Sequence, residues 1–258
     1  MQVSYSRIST YKKCPFQYYL KYVLKLETYP NQDPDNALYL GTACHTGIQE
    51  GIQEMEDNYY SNYYIIDDRH VNEMIKLKYL IPKIRELLPE GASEVKIEGS
   101  DYIGYIDWLV SVGVDDDGIE WYDIYDFKYS NNVDNYLRSQ QLHLYKYYFE
   151  KCNPTKRIRN LYFLFIPKTM VRQKKTEDLY QFRKRLAATL EGMKITKDDC
   201  IKKVVYDSLK IESFSREKEE CVNAKEFPKN ETRLCDWCQY KDFCKNGNTL
   251  DIMNWKGE

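Results

Sequence analysis

Near residue 93 the spacing of apolar residues changes from a helical repeat to alternation, and this switch constrains the fold more than any other feature of the chain. SEVKIE, DYIGYIDWLVSV and IEWYDIYDFKYS alternate apolar with polar residues and are separated by GS and DDDG turns, so they read as three consecutive strands. Before them, RISTYKK and PFQYYLKYVLKL carry apolar residues at helical spacing: Ile8 with Tyr11, then Phe16, Tyr19, Leu20 and Val23. Ser6 is the expected N-cap of the first helix, and Pro15 ends or restarts it. YPNQDPDN reads as a loop, LGTACHTGIQEGIQEM as one helix, and VNEMIKLKYLIPKIRELL as another that contains a proline. After the strands, NYLRSQQLHLYKYYFEK returns to helix and NLYFLFIP reads as a buried strand. EDLYQFRKRLAATLEGM is again helical, and a poorly patterned stretch leads into a cysteine-bearing tail. This order of elements describes an α+β or mixed α/β chain.

The 258 residues suffice for one large domain, or one domain with an appended piece. With 43% hydrophobic and 30% charged residues, the chain supports a sizeable core and is not globally disordered. Its 25 tyrosines suit either base stacking or amphipathic core building. A formal net charge of -2 excludes a general basic coat for nucleic acid but leaves room for a local basic groove. TKRIRNLYFLFIPKTMVRQKK is strongly basic, which is an ordinary solvated face unless it lies beside an active site. No charged-then-apolar leader opens the sequence and no apolar run approaches membrane length, so a cytoplasmic protein that does not enter membranes is expected. In that reducing setting, eight cysteines are thiols or metal ligands rather than disulfides.

The second and third strands place carboxylates on one face. If Asp116-Asp117 is a two-residue hairpin loop, Asp107 lies directly opposite Asp126; if the loop is Asp117-Gly118, Asp107 lies opposite Lys128. A two-residue shift preserves the face, so Asp107, Asp126 and Lys128 share one side in both cases. That side also carries Ile103, Tyr105, Leu109, Tyr122 and Ile124, which makes it core-facing. Opposed carboxylates there are destabilising unless compensated. A divalent cation compensates them, and aspartate oxygens suit Mg²⁺ or Mn²⁺. Glu94 and Glu98 on the first strand match in parity if GS is a two-residue turn. Without a metal, these acids are solvated strand ends and Lys128 is an ordinary salt-bridge partner; the strand pattern leaves both readings open.

RLCDWCQYKDFC supplies Cys235, Cys238 and Cys244 in a C-x₂-C-x₅-C pattern. Three thiolates this close point to a metal site that still needs a fourth ligand. Cys14, Cys44, Cys152, Cys200, Cys221 and the three histidines are the candidates. Zinc and an iron–sulfur cluster both suit such a site, and spacing does not separate them.

Taken in order, these stretches resemble the RecB-like branch of the PD-(D/E)XK nucleases, and within it the iron–sulfur subgroup that includes AddB-type nuclease subunits and CRISPR-associated adaptation nucleases. SYSRISTYKKCPFQYYLKYV is similar to that subgroup's opening signature, GTACH to its Gly-x₃-His element, GYIDWL to its Gly-x-x-Asp strand, YDFK to its (D/E)-x-K strand and QQLHLY to its Gln-x₃-Tyr helix. The resemblance implies a restriction-endonuclease-like core, a central mixed sheet flanked by helices, with a helical cysteine-bearing region formed by both chain ends. It implies one nuclease domain over residues 1–258, in which 1–30 and 225–250 together form an iron–sulfur subdomain. His45, Asp107, Asp126 and the backbone carbonyl of Phe127 would hold Mg²⁺ or Mn²⁺, with Glu94, ahead of Glu98, as an additional acid. Lys128 would be the catalytic lysine, supported by Gln141 and Tyr145, which without the resemblance are equally a surface residue and a core residue. Cys14 would join Cys235, Cys238 and Cys244 around a [4Fe–4S] cluster that staples the chain ends. The implied function is a metal-dependent DNA exonuclease of recombination, repair, or phage or CRISPR DNA processing, in the cytoplasm of a bacterial, archaeal or phage-infected cell. DNA is its implied substrate, and a helicase or a recombination or CRISPR protein its implied partner. The rival readings are a non-catalytic iron–sulfur subunit that binds DNA or another protein, and a zinc-finger-like protein with a coincidental Asp-x-Lys strand.

Overall fold

The three alternating stretches form β1 (Ala92–Glu98), β2 (Ile103–Val114) and β3 (Glu120–Tyr129) in a computed structural model that describes residues 2–255. β4 (Lys156–Ile166) and β5 (Ile201–Val204) complete a five-stranded sheet in the order β1-β2-β3-β4-β5. β2 and β4 run antiparallel to β3 and β5 respectively, whereas β3 and β4 are parallel, so the sheet is mixed. A parallel pair needs a long crossover, and the β3–β4 connection carries the helices Val133–Leu137 and Gln141–Cys152. Residues 161–166 of β4 are apolar on both faces because both are covered there. Leu164 and Ile166 join the main core, while Tyr136 packs against Phe163 and Phe165.

The chain separates into two compact units: Met1–Pro30, Ile97–Gly104 and Asp207–Glu258 form the first, and Asn31–Lys96 with Tyr105–Tyr206 the second. In the second unit, the helices Ala37–Gln49, Ile52–Tyr60 and Asp68–Arg85 bury Ala43, Ile48, Met55, Leu77 and Ile81 against Trp108, Val110, Tyr125 and Phe127 of the sheet. The stretch expected as a single helix from Leu40 breaks at Gly51, whose φ of +131° ends one helix and starts the next. The helix expected after β3 likewise divides in two. The poorly patterned stretch yields β5 and the helix Leu209–Asn223.

In the first unit, Ser4 rather than Ser6 caps the helix Tyr5–Lys13, its side chain accepting from the Arg7 N–H, while the Ser6 hydroxyl bonds that of Ser4. Cys14 then caps the short helix Pro15–Tyr18, in which Pro15 sits in the first turn, where a missing N–H costs nothing. Leu20, Tyr240 and Ile252 form a small core between the chain ends, and the Tyr240 hydroxyl donates to the Leu26 carbonyl at 2.8 Å.

The β2–β3 hairpin departs from the expected turn in two ways that cancel. The Asp115 N–H donates to the Ile119 carbonyl, closing a three-residue loop that ends at Gly118 with φ +79°. The loop end therefore pairs Val114 with Glu120 and Gly113 with Trp121, and a bulge between Ser111 and Gly113 absorbs the extra residue. Beyond it, Ser111 pairs with Tyr122 and Trp108 with Tyr125, the register of a two-residue Asp116-Asp117 loop. Asp107 precedes Trp108 and Asp126 follows Tyr125, so both lie just past the end of the paired register.

Candidate active site

His45 lies in the helix Ala37–Gln49, which is capped at its start by the Asn36 side chain. A carbonyl can only accept, so the ring Nε2–H donates to the Phe127 carbonyl, at 3.0 Å. In the neutral ring Nδ1 is thereby left as the bare nitrogen, and in the protonated ring it carries the proton that faces Asp107 Oδ1, 3.5 Å away. The other Asp107 oxygen accepts the Phe127 N–H at 2.6 Å. Both polar groups of one β3 residue thus orient the two side chains. Burial alone would lower the His45 pKa, but the charge and hydrogen bond of Asp107, with the charge of Asp126, raise it above the ordinary imidazole value.

Glu94 on β1 completes a trio. One ligating atom from each of His45, Glu94 and Asp107 lies within 4.8 Å of the others, and among the described residues these form the group so placed. Glu94 has a backbone φ of +51°, an uncommon conformation for a residue with a long side chain. The Gln49 amide donates to Glu94 Oε1 at 3.1 Å and to the Asp107 carbonyl at 3.2 Å. Sequence reasoning missed Gln49, although it lies one helical turn beyond His45 and so on the same face. Glu98, the other acid considered, is outside the trio.

Asp126 is 1% exposed and forms an ion pair with Lys128, while its Oδ1 is buried without a hydrogen-bond partner. Burial pushes the Asp126 carboxyl up to about 6, reinforced by Asp107 and opposed by Lys128 and His45. Burial alone would lower Lys128, but Asp126 and Asp107 more than offset it and raise its pKa. The Lys128 ammonium also lies 5.5 Å from the Tyr136 ring centre and 5.8 Å from that of Phe163. Gln141 and Tyr145 pair with each other through a 2.9 Å hydrogen bond from the Gln141 amide to the Tyr145 hydroxyl.

The four cysteines expected to act together lie in the first unit. Cys14, Cys235, Cys238 and Cys244 line one cavity of about 310 Å³. The Gln17 N–H donates to the Cys14 sulfur and the Thr232 N–H to the Cys235 sulfur, each at 3.4 Å. Burial raises the Cys238 pKa; the Tyr240 N–H opposes the rise, and Cys14, Cys235 and Cys244 add to it. Cys44, Cys200 and Cys221 are buried elsewhere, and Cys152 is exposed.

A family model described as the PD-(D/E)XK nuclease superfamily matches residues 2–245. The chain belongs to this superfamily. Its mixed five-stranded sheet with flanking helices is the restriction-endonuclease-like arrangement expected from the resemblance. A solved structure of a provisionally named exonuclease from Eubacterium rectale is similar over 93% of this chain and 87% of its own, with 12% identity and a TM-score of 0.48. No curated protein sequence matches. Among the described residues, no helix is long and apolar enough to cross a membrane.

PD-(D/E)XK nucleases use divalent metals, and the donor set of this site fits one. Neighbouring ligands of an octahedral Mg²⁺, each about 2.1 Å from the ion, lie about 3 Å apart, close to the separation of His45 Nδ1 from Asp107 Oδ1. The Nε2–H bond to a backbone carbonyl is the usual way a ligating imidazole is fixed in its tautomer and orientation. That bond makes the Phe127 carbonyl an orienting partner of His45, and its second lone pair stays available to an ion. The orphaned Asp126 Oδ1 is a further unsatisfied oxygen beside these groups.

Proposed function

We propose that the chain is a Mg²⁺- or Mn²⁺-dependent deoxyribonuclease that degrades DNA from its ends. The observation that carries this reading is the trio of His45, Glu94 and Asp107 beside the buried Asp126–Lys128 pair, with one Asp126 oxygen unsatisfied. In the reaction, a water oxygen forms a new bond to phosphorus while the bond from phosphorus to the leaving sugar oxygen breaks. His45, Glu94, Asp107 and Asp126 would hold a divalent ion, which when bound would supply Lewis-acid neutralisation of the scissile phosphate and lower the pKa of the attacking water. Lys128 remains charged in its buried setting and directs its N–H donors at the developing negative charge. Asp126 anchors Lys128, and His45 is kept in the tautomer that presents Nδ1. Gln141 and Tyr145, tied to each other, position the substrate strand.

The deciding assay digests linear and covalently closed DNA, single- and double-stranded, with Mg²⁺ or Mn²⁺, comparing wild type with Lys128→Ala. Metal-dependent loss of linear DNA by wild type alone, with closed circles spared, is expected. Wild type without metal-dependent cleavage would refute the enzyme, and cleaved circles would refute the exonuclease.

The same reading assigns Cys14, Cys235, Cys238 and Cys244 to a [4Fe–4S] cluster, placing the chain in the iron–sulfur subgroup. Supporting it are the shared cavity and the backbone N–H donors on three of the sulfurs, an arrangement that suits thiolates. A brown preparation containing iron and sulfide is expected; a colourless one with stoichiometric zinc overturns the assignment.

A further inference from the structure

The Gln49 amide has two N–H donors, and the structure directs them at two different strands: the Glu94 carboxylate on β1 and the Asp107 backbone carbonyl on β2. The same helix presents His45 one turn earlier, so a single helix end meets all three members of the trio. Glu94 needs such a contact. Its side chain is exposed and long, and nothing in its strand position fixes the rotamer.

We propose that Gln49 is a positioning residue that locks Glu94 into the metal site and biases it toward binding through one oxygen; this rests on the metal-dependent reading above. The residue type suits the task. Lysine would place a positive charge where the cation must bind, and glutamate would set an acceptor against two acceptors. A neutral amide supplies both donors without changing the charge of the site. Because Oε1 already accepts from Gln49, Oε2 is the less encumbered oxygen for an ion. One-oxygen binding suits Mg²⁺ and Mn²⁺, which keep octahedral geometry, and disfavours Ca²⁺, which readily takes both oxygens of a carboxylate. Gln49 therefore contributes to the choice of metal as well as to its affinity.

The test is calorimetric titration of the full-length, chelator-stripped protein with MnCl₂ and separately with CaCl₂. Gln49→Met keeps length and helix propensity but removes both donors. It is expected to weaken Mn²⁺ binding roughly 10- to 100-fold, the usual effect of losing an outer hydrogen-bond partner of a metal ligand. The ratio of Mn²⁺ to Ca²⁺ affinity should fall, and the metal-free melting temperature should stay within a few degrees of wild type. Glu94→Gln should lose affinity to a similar extent, and Gln49→Met/Glu94→Gln should be no worse than Glu94→Gln alone, because both changes remove one arrangement. Mn²⁺ affinity of Gln49→Met within about threefold of wild type, or losses that add in the double variant, overturns the role of Gln49 while leaving the metal site standing. Wild type that binds no Mn²⁺ overturns the metal site itself, and the proposal with it.

Discussion

Asp126→Asn converts the electrostatics of the site into a stability measurement. The Asp126 carboxyl is raised to about 6 from an ordinary 3.8, a difference of about two units. Each unit corresponds to about 1.4 kcal/mol, so carrying this charge in the folded, metal-free protein costs about 3 kcal/mol. The sign follows from proton binding. The folded state holds the Asp126 proton more tightly than the unfolded chain, so this group's contribution is fully present below about pH 4. It is lost as the pH rises toward about 6, and is flat above that. The substituted amide cannot titrate. The variant's stability relative to wild type should therefore improve by about 3 kcal/mol between about pH 4 and pH 7.5, whatever the offset at low pH. That offset reports how well Lys128 tolerates a neutral partner, and Asp126→Asn/Lys128→Met should lift it by removing the stranded cation. Urea denaturation in excess chelator at several pH values across the window measures both quantities. A relative stability that stays flat within about 1 kcal/mol, or falls with pH, would show that Lys128 outweighs burial at Asp126, and the reasoning here would be wrong. Mn²⁺ at neutral pH should stabilise wild type and stabilise Asp126→Asn much less.

Other perturbations test separate parts of the structure. Cys14→Ala should lose iron and sulfide and lower the thermal stability of the region joining the chain ends, since cluster binding is coupled to folding; full iron content in the variant would remove Cys14 from the ligand set. Gly91→Ala should cost about 1–3 kcal/mol, read as a lowered urea midpoint. A Cβ there would lie 2.6 Å from Trp108 Nε1 and 2.8 Å from the Leu109 carbonyl, and would disturb the Trp108 bond to the Pro89 carbonyl. Thr169→Val should raise stability by about 1 kcal/mol in the same experiment, because the Thr169 hydroxyl is buried with no hydrogen-bond partner.

What could be read from sequence divides according to how each feature is encoded. Asp107, Asp126 and Lys128 were legible because strand parity is a strict two-residue rule: departures that sum to an even shift leave the face unchanged. The extra loop residue and the bulge between Ser111 and Gly113 are such a pair, and neither was visible, because alternation says nothing about where a strand kinks. β5 was missed for a related reason. Ile201–Val204 is four residues long with Lys202 and Lys203 at its centre, a short charged edge strand that resists further pairing and so lacks alternation. Parity also failed to separate Glu94 from Glu98, since both fit. In the structure the left-handed turn of the backbone at Glu94, with Gln49 as its partner, sets them apart. Gln49 itself carried no signal beyond its helical spacing from His45. Its two bonds cross between strands that only the folded sheet brings together, and a motif built on ligating residues does not register the neutral amide beside them. A residue proposed to orient a metal site is thus less legible than those proposed to bind the ion. Its requirement is a donor in one place, which the fold can meet with many residue types, whereas the ligands must supply a particular charge and atom.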